Sequence, residues 1–350
     1  MADPAPEEPP PRKRRPRYRG THPRRFEEKY KERDPEQYPE LVAHVRSRGK
    51  TPAGQHVPIL TEELLAVLTP RPGERGVDCT LGWGGHAERV LERLAPGGRL
   101  LALDIDPIEL PRSETRLRAL GHDEHVLLVR HTNFAALGAV LHEVGWSEGA
   151  DFVYADLGVS SMQIDRPERG FSFQQEGPLD MRMNPRRGLS AAEWLARASV
   201  AELREALSDN SDEPHALPIA RALVAQRGKL DSTRALADAI RMALPGHIAK
   251  EAADLSVRRV FQALRIEVNR ELEVLDAWLR QLPSCLRPGG RAAVLTFHSA
   301  EDRRVKHSFQ QGLRDGSYAA ASDGIIRPSP AEQRSNPRSS PAKLRWARKR

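Results

Sequence analysis

Four clusters in this chain place residues suited to ligand binding or proton transfer at the ends of apolar runs. The first is Asp78-Cys79-Thr80-Leu81-Gly82-Trp83-Gly84-Gly85-His86. Gly82, Gly84 and Gly85 allow a tight turn and let the backbone approach a ligand closely. A helix beginning there adds N–H donors and positive potential. The second is Asp104-Ile105-Asp106-Pro107. A carboxylate about twenty residues past such a loop suits two adjacent ribose hydroxyls. Asp104 is the preferred ligand, because it directly ends Leu100-Leu101-Ala102-Leu103; Asp106, before Pro107, reads as a cap. The third, Asp156-Leu157-Gly158-Val159-Ser160-Ser161-Met162-Gln163, opens on another carboxylate. The fourth, Phe297-His298-Ser299-Ala300-Glu301-Asp302, offers an imidazole. His298 is either a base or substrate contact, or a structural residue held by the backbone.

Two ligand classes use a glycine loop of the first kind. A dinucleotide sets its pyrophosphate there; S-adenosylmethionine packs its carboxylate and sulfonium beside it. Gly-x-Gly-Gly-His is not Gly-x-Gly-x-x-Gly, which weakens the dinucleotide reading, and no P-loop signature is present. There is no Gly-x-Ser-x-Gly, His-Glu-x-x-His or calcium-loop pattern either. Hydrolase and metalloenzyme readings are therefore unsupported, and no metal site is expected.

The elements that position these residues read as α/β. Strands are expected near Gly76–Thr80, Leu100–Leu103, Val126–Val129 and Phe152–Ala155, with helices between them, one around Phe134–Val144. Such alternation predicts a parallel, doubly wound sheet whose ligand crevice lies at the strand C-termini. Three of those termini carry glycine, acid and acid in order. Thr61 is expected to cap a helix through Leu68. From 170 to 255 the strand signal fades. Ser190-Ala191-Ala192-Glu193 and Ser199-Val200-Ala201-Glu202 match the capping box, and Ser232 is expected to cap a helix through Leu244. Phe261, Leu264, Val268, Leu272, Leu275, Leu279 and Leu282 predict one long helix, 257–282, with a single buried stripe. Arg287-Pro288-Gly289-Gly290 then makes a turn into a buried strand, Arg291–Phe297. The stretch from Arg327 onward has little periodicity.

Composition narrows the class. The 350 residues carry a net charge of +7, consistent with an anionic partner. With 39% apolar and 5% aromatic residues, the core must be built mainly from Ala, Leu and Val. The two cysteines, Cys79 and Cys285, form no Cys-x-x-Cys pair, so neither a zinc site nor a disulfide framework is expected. No apolar run approaches the ~18 residues of a membrane span. The N-terminus lacks the apolar core of a secretory signal, so a cytoplasmic protein is expected. Residues 1–50, rich in Pro, Arg, Lys and Glu, read as a disordered basic tail.

Taken together, the motifs resemble one family. His56-Val57-Pro58-Ile59-Leu60, the loop Asp78–His86, Asp104-Ile105-Asp106-Pro107 and Asp156-Leu157-Gly158-Val159-Ser160-Ser161 stand in order. Arg169-Gly170-Phe171-Ser172-Phe173, Pro178-Leu179-Asp180-Met181-Arg182-Met183, the run Val260–Leu272 and Phe297-His298-Ser299 follow. This set strongly resembles the bacterial 16S ribosomal RNA cytosine-N4 methyltransferase family, from about His56 to Lys343. The resemblance implies a class I (Rossmann-like) S-adenosylmethionine-dependent methyltransferase core, 51–169 and 256–350, with an inserted all-helical domain, 170–255. It implies N4-methylation of a decoding-centre (P-site) cytosine in 16S rRNA within the small ribosomal subunit. It assigns Gly84, Gly85, His86, Asp104, Phe134, Asp156 and Gln163 to cofactor binding.

Amino methyltransferases often carry a Pro-Pro-aromatic segment after the fourth strand; here Asp156-Leu157-Gly158-Val159 stands instead. Asp156 or a nearby backbone carbonyl is therefore the candidate proton acceptor, with Ser160, Ser161 and His298 behind it. The chain departs from the family pattern at Ala87, at Ser211-Asp212-Glu213-Pro214-His215 and at Asp254-Leu255-Ser256-Val257. Two other readings share parts of the pattern. One is a noncatalytic ribosomal-RNA-binding assembly factor on the same fold. The other is a nicotinamide-dependent oxidoreductase on a Rossmann sheet. The residues leave the oligomeric state open between monomer and homodimer.

Overall fold

The structure, a computed structural model, describes residues 58–350; the expectations for the tail, 1–50, lie outside the described residues. Seven strands form one sheet in the order β3-β2-β1-β4-β5-β7-β6. They are β1 (Arg75–Asp78), β2 (Arg99–Asp104), β3 (Leu127–His131), β4 (Ala150–Asp156), β5 (Leu286–Thr296), β6 (Tyr318–Ala321) and β7 (Lys343–Lys349). The first five run parallel, with Val77 level with Leu101 on one side and Val153 on the other.

Strands covered on both faces read as unbroken apolar runs, and Leu100–Leu103 and Phe152–Ala155 are fully buried. Their side chains alternate between two layers. Val77, Leu101, Leu103 and Val153 pack with Leu275, Trp278 and Leu279 of the helix Glu271–Gln281 and with Phe309 of the helix Ser299–Arg314. Leu100, Ala102, Phe152 and Tyr154 face the helices Thr61–Leu68, Gly85–Leu94 and Leu110–Ala119. The chain leaves β1 toward β2 and β3, then returns to place β4 on β1's other side. Strand order reverses between β1 and β4, and such a switch point opens a crevice at the strand C-termini.

The expected α/β sheet of Rossmann type is present, but it is mixed rather than wholly parallel. β7 runs antiparallel between β5 and β6. Its charged composition hides it in the sequence. Arg345 is buried on this strand because Asp302 accepts from its Nε and Nη2 at 2.6 and 3.2 Å.

The predicted long helix is two, Lys250–Asn269 and Glu271–Gln281. Arg270 joins them in the left-handed region, φ 52°. The stripe divides accordingly: Phe261 and Leu264 pack among the helices of 191–243, whereas Leu275, Leu279 and Leu282 pack on the sheet. Periodicity survives the break, which is why one helix was legible where two exist.

Smaller differences have local causes. Leu60, at φ 54°, takes the cap position expected of Thr61, whose hydroxyl donates to the Pro58 carbonyl at 3.0 Å. The helix expected at 134–144 begins as a 3-10 turn, Phe134–Ala136, before the α-helix Leu137–Glu143. The Arg287–Gly290 turn lies inside β5, at a register shift opposite β4. The capping boxes at Ser190 and Ser199 form as read, and Ser232 caps Thr233–Ala243.

Candidate active site

Gly84 is the N-cap of the helix Gly85–Leu94 at φ 82°, a conformation that a side chain disfavours. A Cβ there would also stand 3.0 Å from Leu117. Gly85 is confined from the other side, where a Cβ would meet the Pro58 ring at 3.1 Å. Neither position accepts a side chain without strain or crowding, and the helix N-terminus lies at the switch point. His86, in the first turn, is buried; its Nε2 lies 2.9 Å from the Ile59 carbonyl and its Nδ1 3.6 Å from Asp156 Oδ2.

Asp104 stands at the end of β2 as predicted. Its Oδ2 accepts from Gly82 N and its Oδ1 from Asp106 N, both at 2.8 Å. Those bonds tie the glycine loop to the strand and leave each oxygen a further lone pair for a hydroxyl. Burial raises its pKa against these bonds. Asp106 does more than the cap the sequence suggested. It accepts from Ile108 N, from Gln163 Nε2 and from Arg169 Nη1, each at 2.8 Å, and is almost wholly buried.

Gln163 is thereby placed as a bridge, its Nε2 on Asp106 and its Oε1 accepting from Ser160 N at 2.9 Å. Phe134 begins the turn after β3 and packs edge-on against Trp278, ring centroids 5.6 Å apart.

Asp156 ends β4 beside the loop. Its own N–H donates to Thr80 Oγ1 at 2.7 Å. Oδ2 faces His86, while Oδ1 is buried with no hydrogen-bond partner among the described residues. A buried acceptor without a donor is costly. Burial, reinforced by the charge of Glu301, pushes the Asp156 carboxyl up to about 7. Behind it, burial pushes Asp78 to about 6, although Thr80 N and Tyr154 Oη both donate to it, at 3.0 and 2.8 Å.

Ser160 and His298 turn out to share a structural job. Ser160 caps the short helix Ser161–Ile164, and His298 caps Ser299–Arg314 through Nδ1, each in a capping box. His298 is buried, with Nε2 3.1 Å from Glu301 Oε1. Burial alone would raise the Glu301 pKa, but His298 and then Arg265 outweigh it and the net shift is downward. Arg265 also holds Glu271 through two bonds, at 2.8 and 3.0 Å. Glu271, His298 and Glu301 bring ligand atoms within 4.8 Å of one another. Arg265 already supplies the cation to that group.

Sequence reasoning passed over Arg169, Arg265 and Tyr154. The quoted motifs contain the two arginines, but nothing in their spacing says that they neutralise buried acids. That follows only from the burial of Asp106 and Glu301.

Comparison with known proteins places these features in a family. The sequence profile described as the MraW methylase family matches residues 53–350. The chain is 49% identical over 341 residues to ribosomal RNA small subunit methyltransferase H 1 of Lachnoclostridium phytofermentans, covering 96% of this chain and 92% of that protein. It is 48% identical to ribosomal RNA small subunit methyltransferase H 2 of Alkaliphilus metalliredigens, covering 96% and 97%. It is 44% identical to the methyltransferase H of Thioalkalivibrio sulfidiphilus, covering 85% and 98%. Among solved structures, a putative rRNA methylase from Clostridium thermocellum aligns with 85% of this chain and all of its own, at 11% identity and a TM-score of 0.40. That likeness is slight; the sequence matches carry the assignment.

Proposed function

The chain belongs to the MraW methylase family, and from that premise we propose that it methylates N4 of a decoding-centre (P-site) cytosine in small-subunit ribosomal RNA. It is an S-adenosylmethionine-dependent methyltransferase. The relatives' names supply the class of RNA. The observation that carries the reading is Asp156, a half-buried carboxylate with one unpartnered oxygen, set beside the glycine loop at the switch point.

In this reading Gly84, Gly85 and His86 receive the methionine end of the cofactor at the helix N-terminus. Asp104 receives the ribose hydroxyls, and Phe134 lines the cofactor pocket. Gln163 acts through Asp106, keeping the loop after β2 in place. When bound, the cofactor supplies an electrophilic methyl group on sulfonium sulfur. The protein's own work is positioning and proton handling. The N4 lone pair is delocalised into the cytosine ring, so alignment with the methyl group is the main lever. The Asp156 carboxylate accepts a hydrogen bond from the amino group, orienting the lone pair, and then takes its proton. The base must leave its stack to reach this depth.

Because Phe261 and Leu264 pack with the helices of 191–243, we take 170–269 as an inserted helical domain that docks RNA, with basic side chains on phosphates, and 51–169 with 270–350 as the catalytic core. Among the described residues no helix is long and apolar enough to cross a membrane.

Mass spectrometry of 16S rRNA from cells lacking the gene tests the reading. A decoding-centre cytosine without its N4 methyl group is expected. An unchanged cytosine sinks the substrate assignment. A noncatalytic assembly factor would disturb subunit maturation yet leave that methyl group in place.

A further inference from the structure

His86 has a role to play beyond ending the glycine loop. A carbonyl oxygen can only accept, so the contact with Ile59 at 2.9 Å assigns the ring hydrogen to Nε2. Burial lowers the pKa of the ring, more than the Ile59 bond and the charges of Asp78 and Glu332 raise it. His86 is therefore neutral near pH 7, and Nδ1 is a bare lone pair. It faces Asp156 Oδ2 at 3.6 Å. His86 is buried and Asp156 half-buried, and two acceptors facing each other there repel unless a proton lies between them. The spacing is longer than a formed hydrogen bond.

We propose that Asp156 and His86 are a proton-sharing pair, in which the carboxyl accepts the substrate's proton and, once neutral, donates it in a hydrogen bond to His86 Nδ1. The substrate proton in this statement rests on the N4-methylation reading; the pairing itself does not. As N4 gains the methyl group, a C–N bond forms and a carbon–sulfur bond breaks, and the positive charge passes to N4. The N4–H bond then breaks, its electron pair stays on nitrogen, and the proton forms an O–H bond on Asp156. His86 Nδ1 holds that O–H until water removes the proton after product leaves.

The surroundings favour a retained proton. Asp78 and Tyr154 face the pair from β1 and β4, and Glu301 from the helix Ser299–Arg314. Glu332, from the helix Pro330–Ser335, adds negative charge toward the imidazole and accepts from Leu60 N at 2.9 Å. Arg265 and His298 answer Glu301 on its far side. His86 is thus a positioning residue acting through Asp156.

Nitrogen-15 NMR of the full chain, without cofactor or RNA, tests the pair whatever the substrate proves to be. Through the Asp156 transition the ring should stay neutral with hydrogen on Nε2. Below the transition the Nδ1 resonance should show the upfield shift of an accepted hydrogen bond, and lose it above. Asp156→Asn, whose amide can donate at every pH, should keep the shifted Nδ1 throughout. Protonation of both ring nitrogens at that transition, or hydrogen on Nδ1, would overturn the proposal in favour of an ion pair.

Single-turnover methyl transfer links the pair to the reaction. His86→Leu should slow transfer on the order of tenfold or more and move its acid limb to lower pH, since the protonated carboxyl loses its acceptor. His86→Asn, with an amide oxygen near the Nδ1 position, should restore the limb. A limb that does not move in His86→Leu overturns the catalytic part while leaving the NMR result to stand or fall alone. Should His86→Leu not fold, the comparison of His86→Asn with Asp156→Asn by NMR still decides the pairing.

Discussion

Asp156 concentrates the account at the scale of a single residue. Its carboxyl is pushed from 3.8 to about 7, with burial the main cause. A base must be ionised to act, so methyl transfer should rise with pH through about 7. Asp156→Asn should cut the transfer rate by about 10²–10⁴-fold. Stability follows the opposite course. The folded state binds this proton more tightly than the unfolded chain does, so the contribution is complete below about 4 and is lost as pH rises past about 7. Denaturant titrations at pH 6 and pH 8 should therefore give a larger loss of stability in wild type than in Asp156→Asn. Equal losses would mean that the carboxyl is not perturbed. Asp104 makes a separate claim: Asp104→Ala should weaken S-adenosylhomocysteine binding by at least about tenfold, read by calorimetry, with the fold intact. Both acids were legible in the sequence, because each directly ends an apolar run. The orphaned oxygen of Asp156 and the lone pair of His86 were not. They depend on which neighbours the fold brings within reach.

Between elements, buried ion pairs do the joining. Arg169 Nη1 meets Asp106 beyond β2, while its Nη2 donates to the carbonyls of Arg182 and Met183 at 3.0 and 2.9 Å. Asn269 reaches the same segment, accepting from Met183 N at 2.7 Å and donating to the Met181 carbonyl at 2.8 Å. One arginine thus couples the cofactor-side loop to the chain that leads into the helices of 191–243. Arg169→Met would strand Asp106 without its cation and should cost about 3–5 kcal/mol in denaturant unfolding. Ser232→Ala should cost only about 1 kcal/mol, the value of a helix cap. Near-equal losses would show that the arginine is not holding a buried charge. Caps were readable because the signal is local. The break at Arg270 was not, because apolar spacing continues across it. The two helical segments that depart from the family pattern also meet, with Ser256 Oγ donating to Glu213 Oε1 at 3.1 Å. Ala87, the third departure, is fully buried against the sheet, where a small apolar side chain packs without needing a partner.

Across the whole molecule, the order of strands explains why distant motifs share one crevice. β1 ends in the glycine loop, β2 in Asp104 and β4 in Asp156, and the switch between β1 and β4 opens the space among them. The parallel core was legible from its apolar runs. Strand β7 was not, since its arginines disguise a buried strand until Asp302 is seen to pair with Arg345. A +7 chain acting on RNA should also bind its substrate less tightly as salt rises, by counterion release. The most direct test supplies the purified protein with labelled S-adenosylmethionine and small ribosomal subunits from cells lacking the gene, then digests the RNA to nucleosides. The account predicts label in N4-methylcytidine from the decoding centre, absent with Asp156→Asn. Label on another base or atom, or wild-type protein that binds the subunit without transferring label, would contradict it.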